Sequence, residues 1–69
     1  MQREAVNSSM ITSVGYSSDA ELLEVEFTDG TVYEYYNVPA FVFERLLQAP
    51  SIGKFFHAEI RSSYANSKL

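Results

Sequence analysis

Few residues of this chain could carry chemistry: one histidine, a short series of basic side chains and a cluster of carboxylates, with no cysteine. Lys54, His57, Arg61 and Lys68 stand at offsets of 3, 7 and 14 from Lys54. On a continuous helix that spacing puts them along one side, a basic stripe able to meet phosphate. Ser51 and Gly53 join Lys54 at the start of the same helix, where free amides and the helix dipole favour an anion. Four basic groups at most imply weak, salt-sensitive binding.

Catalytic constellations are poorly supported. The absence of cysteine removes thiol nucleophiles and thiolate metal sites, and a lone histidine cannot build a histidine cluster for a metal. Glu59 follows His57 by two residues, a separation that does not bring side chains together on a helix. Glu24, Glu26 and Glu34 share one sheet face but are expected in water, where neither a paired acid and base nor a cation site is implied. The chain therefore reads as a non-enzymatic binding module with no cofactor, no metal and no small-molecule substrate.

The elements that must position these groups are organised around Leu23–Tyr35, two alternating runs joined by Thr28-Asp29-Gly30. A two-residue turn at Asp29-Gly30 would bury Glu34 without a partner, which is costly. A three-residue loop with left-handed Gly30 instead pairs Phe27 with Thr31, Val25 with Tyr33 and Leu23 with Tyr35. That register sends Tyr33 and Tyr35 into the core with their hydroxyls at its rim, so base stacking on the open sheet is disfavoured. Tyr36 faces outward, but among three glutamates that repel phosphate.

Upstream, Ser9–Tyr16 is a strand in which Gly15, or the residues just before it, marks a bulge that restores Ile11, Val14 and Tyr16 to one face. Downstream, Pro39 suits a first helical turn, and Val42, Leu46 and Ala49 form its buried stripe, widened by Phe43 and Leu47. Pro50 ends that helix, Ser51 caps the next, and Ile52, Phe56, Ile60 and Tyr64 recur every four residues. The expected fold is α+β: a three-stranded antiparallel β-meander followed by two helices packed on one face (β-β-β-α-α). Residues 1–69 make one domain with an ordered core over about 8–65 and flexible termini, Met1–Asn7 as a lead-in and Asn66–Leu69 frayed.

The chain's 69 residues lie near the lower size for a self-sufficient core, and 46% hydrophobic content favours folding over disorder. Stability of roughly 3–7 kcal/mol follows from the usual per-residue range. The net charge of −4 is unevenly spread. Residues 1–37 hold seven acidic side chains against Arg3, whereas residues 38–69 hold four basic against two acidic. An anionic partner should therefore approach the second half. No signal-peptide core or membrane-length run is present, and the expected location is cytoplasmic.

Read in order, Ser9, Val14-Gly15-Tyr16, Leu23–Phe27, Gly30, Tyr33-Glu34-Tyr35, Val38-Pro39, Val42, Leu46, Ala49–Gly53, Phe56, Ile60-Arg61 and Tyr64 resemble the KTSC domain. The resemblance spans about Val6 to Tyr64 and departs from the common pattern at Ser17, usually acidic, and His57, frequently asparagine. That family is named for the C-terminus of some lysyl-tRNA synthetases and also occurs as stand-alone bacterial and phage proteins. It implies no established activity, offers RNA as a partner through its synthetase context, and marks Tyr33, Tyr35, Ser51, Gly53 and Arg61 as positions to test. Two functions are thus expected: RNA or phosphate-backbone contact through the second helix, or protein interaction and self-association through Leu22, Val32 and Tyr36 on the outer sheet face.

Overall fold

Alternating apolar and acidic residues make Leu22–Phe27 a half-buried strand, and Gly30 lets the chain reverse after it. In the computed structural model, which describes residues 2–69, Gly30 takes φ +91°. Phe27 N–H donates to Thr31 C=O at 2.8 Å, and Gly30 N–H to Phe27 C=O at 3.0 Å. Leu23 pairs with Tyr35, Glu24 with Glu34 and Val25 with Tyr33. This is the expected register, and it keeps Glu34 off the buried face.

Among the described residues the sheet has five antiparallel strands in chain order, not three: β1 (Arg3–Ala5), β2 (Ile11–Ser17), β3 (Leu22–Phe27), β4 (Val32–Tyr35) and β5 (Asn66–Lys68). Segments expected to be a loose lead-in and a frayed tail thus pair at the two edges. Both outer strands are three residues long and exposed throughout. Short polar edge strands bury nothing, so no apolar alternation announces them. The bulge in β2 falls between Ile11 and Ser13, upstream of Gly15, and it does restore Ile11, Val14 and Tyr16 to one face opposite Phe27, Val25 and Leu23.

Two helices cover that face. Helix α1 (Ala40–Gln48) begins after Pro39 and buries Val42 and Leu46, while Leu47, expected in its stripe, is exposed. Tyr16 ties the sheet to this helix by donating its hydroxyl to Val38 C=O and stacking on Phe43 at 5.0 Å. Helix α2 (Ile52–Phe55) opens under Ser51, whose hydroxyl accepts Lys54 N–H at 3.3 Å. It passes directly into a π-helical turn over Phe56–Ile60, closed by Arg61 N–H on Phe56 C=O at 2.9 Å. The core joins Ile11, Val14, Leu23, Val25 and Tyr35 to Val38, Val42, Leu46, Phe56 and Ile60, with Ile52 and Tyr64 packed half-buried against it.

Candidate functional site

The fold takes Lys68 off the expected basic stripe. The second helix ends at Ile60, so Lys68 lies not on it but on β5, opposite Tyr33. Lys54 sits with Ser51 and Gly53 in a recess against Ser8, Ser9 and Met10. Gly53 is buried there, and a Cβ on it would meet Ser8 Oγ and Met10 Cε at 3.5 Å. Ser51 already occupies the Lys54 amide. The Ser51–Gly53 turn therefore packs α2 against the Ser8–Met10 loop.

His57 and Arg61 do come together. Arg61 NH1 lies 3.1 Å from His57 Nδ1, one turn along the same helical segment. Both line a cleft of about 480 Å³ between the π-helical turn and the β4 side of the sheet. Phe27, Tyr33, Tyr35 and Phe56 form its aromatic floor, with Phe27 edge-on to Phe56 at 5.4 Å and Tyr33 stacked beside Tyr35 at 6.4 Å. Tyr35 is buried, and Tyr33, expected in the core with its hydroxyl at the rim, packs half-buried against that core and also lines the cleft. Asp29 and Thr31 from the hairpin turn, Asn66 from β5 and Met10 complete the wall.

Two groups, Tyr35 and Asp29, show the electrostatics of this cleft. Burial raises the Tyr35 phenol above its ordinary value, the Tyr33 hydroxyl adds to that rise, and the Arg61 guanidinium opposes it. Asp29 Oδ1 accepts both the amide N–H of Thr31 at 3.0 Å and its hydroxyl at 2.7 Å. These bonds hold the exposed Asp29 carboxyl below its ordinary value, and the nearby Lys68 ammonium lowers it further. The cleft thus pairs a π surface with a guanidinium, an imidazole and a fixed carboxylate.

The outer sheet face is organised differently. Arg3 reaches past Gly15 to Glu24 at 2.8 Å, Ser13 donates to Glu26 at 2.8 Å, and Tyr36 donates to Glu34 at 3.3 Å. Leu22, Val32 and Tyr36 are each half-buried among these paired carboxylates. Among the described residues no group of three or more histidine, cysteine or carboxylate side chains could hold a metal. No helix there is long and apolar enough to cross a membrane.

The family model for the KTSC domain matches residues 7–64. This chain belongs to the KTSC domain family. The crystal structure of a KTSC domain protein from Yersinia pestis superposes with a TM-score of 0.94 at 36% identity, covering 99% of this chain and 96% of that one. An uncharacterised protein of Stutzerimonas stutzeri is 44% identical over 57 residues, 83% of this chain and 80% of its own length. A lysine-tRNA ligase of Trichormus variabilis is 41% identical over 61 residues, 88% of this KTSC domain but 11% of the ligase. Of the positions that the family resemblance marks, Tyr33, Tyr35 and Arg61 meet in the cleft, and Ser51 and Gly53 stand at the α2 turn. Asn66 was not legible as a candidate for this cleft, because the β4–β5 pairing that brings it opposite Tyr35 has no signature in the sequence, and Asp29 was read only as a turn residue.

Proposed function

We propose that this KTSC domain is a non-enzymatic, cytoplasmic RNA-binding module whose contact surface is the aromatic cleft rather than a continuous basic helix face. The observation that carries this reading is the convergence of Arg61 and His57 with half-buried Tyr33 on one opening. Aromatic faces hold unstacked bases, and a guanidinium beside them serves the phosphate. The kinship with a short part of a protein named for charging tRNA supports the same partner class. A binding role also suits the single histidine, which has Arg61 as its neighbour rather than a carboxylate that would orient it for proton transfer.

Fluorescence anisotropy with a labelled single-stranded RNA tests the reading. Binding should appear at low ionic strength and weaken as salt rises, and Arg61→Glu should remove it with the circular dichroism spectrum unchanged. An absence of binding by the wild-type domain at low salt would overturn it.

A further inference from the structure

The cleft also carries the Asp29 carboxylate, which Thr31 holds within the hairpin turn, on an opening otherwise suited to an anion. Its two hydrogen bonds from Thr31 both fall on Oδ1. A carboxylate offers about four acceptor positions over its two oxygens, so the Thr31 bonds occupy Oδ1 and leave acceptor capacity on Oδ2. The hairpin turn holds the backbone beneath it, through Gly30 N–H on Phe27 C=O. Low proton affinity keeps the group ionised, and Lys68 moderates its repulsion of a nearby phosphate.

Resting on the RNA reading above, we infer that the cleft selects an unpaired guanine nucleotide, with the base against Tyr33, its Watson–Crick N–H edge on Asp29 Oδ2 and its phosphate on Arg61. Guanine presents two adjacent donors on that edge, the ring N1–H and the exocyclic amine. Adenine and cytosine each place an acceptor beside their amine, and uracil flanks its single N–H with two carbonyls. An ionised carboxylate accepts only, so it attracts the guanine edge and repels an acceptor on each of the other three. A duplex hides this edge in base pairs, which restricts the ligand to single strands, loops and ends.

The test compares an all-uridine RNA with one of equal length carrying a single central guanosine, together with competition by guanosine and adenosine monophosphates. The guanosine-containing strand should bind roughly tenfold tighter at one salt concentration, the scale of a hydrogen bond to a charged group. Asp29→Asn retains an Oδ1 acceptor for Thr31 but replaces Oδ2 with an amide donor, so it should erase the difference while binding to the all-uridine strand persists. Guanosine monophosphate should compete better than the adenosine nucleotide, a comparison that needs no variant. Equal binding of both strands and both nucleotides would overturn the guanine selection and leave the RNA reading standing. Failure of every RNA to bind would overturn both.

Discussion

Tyr35 stands directly opposite Leu23 in the sheet and meets Phe56 edge-on at 5.4 Å, so one ring joins the hairpin to the second helix. Truncating it should empty the centre of the core. Tyr35→Ala is expected to cost about 3–5 kcal/mol, comparable to the whole stability of a chain this size. Chemical denaturation should then find the variant largely unfolded in water, whereas Tyr35→Phe keeps the ring and should remain folded. A Tyr35→Ala midpoint close to wild type would refute this packing.

Alkaline pH should weaken the fold through the same residue. Burial raises Tyr35 above the ordinary value of 10, and Tyr16 is raised too, first by desolvation and then by Glu21. A folded-state value above the unfolded one means a contribution that is intact below pH 10 and lost as pH climbs through the folded value. Urea midpoints should therefore hold up to about pH 10 and then decline. Tyr35→Phe should flatten that decline, and an unchanged slope would locate the titrating group elsewhere.

Gly30 separates conformational from steric cost. Nothing lies within 4 Å of where its Cβ would stand, yet φ is +91°. Space is available, so a substitution pays only for the backbone region. Gly30→Asn should cost less than Gly30→Val, with the valine variant losing on the order of 1–2 kcal/mol or more. Equal thermal midpoints for the two would contradict a left-handed turn.

The hairpin was legible because Glu24, Glu26 and Glu34 can all avoid burial in only one register, and the glycine needed to close that loop is present. Strands β1 and β5 were hidden for the opposite reason. Arg3–Ala5 and Asn66–Lys68 bury no side chains, and their pairing comes from backbone hydrogen bonds that any sequence can make. The π-helical turn was equally silent, since Phe56 and Ile60 keep an ordinary four-residue spacing while Arg61 N–H reaches back five residues. The displacement of Lys68 from the helix to a strand follows from the same hidden β5. Within the candidate cleft, His57 and Arg61 were legible from their shared helix and Tyr33 and Tyr35 from the family resemblance, whereas Asn66 was hidden with β5.

Glu24 faces Glu34 across β3 and β4, and Arg3 compensates only the first of them. Like charges directly opposite each other are unfavourable. Glu34→Gln keeps an oxygen for the Tyr36 hydroxyl while removing one charge, and should raise stability by about 0.2–1 kcal/mol at low salt. The gain should shrink in molar salt through screening. Destabilisation by the glutamine would show that the Glu34 charge is used.

Lys54 and Arg61 line different recesses, which yields the sharpest functional contrast. On a continuous basic stripe, reversing either charge would weaken RNA binding alike. In the folded domain Lys54 belongs to the Ser8–Met10 recess, whereas Arg61 contacts His57 on the aromatic cleft. If the domain binds RNA as proposed, Arg61→Glu should weaken single-stranded RNA binding by tenfold or more, because it would replace a charge-assisted hydrogen bond to phosphate with repulsion. Lys54→Glu should change affinity by only about twofold, as expected for long-range charge alone. Tyr33→Ala should also weaken binding strongly, through loss of roughly 1–3 kcal/mol of stacking, and should do so with little change in salt dependence. Thermal denaturation of each variant distinguishes a weakened RNA interface from an unfolded domain. Equal losses from Lys54→Glu and Arg61→Glu, with Tyr33→Ala unaffected, would return the binding surface to the helix and remove it from the cleft.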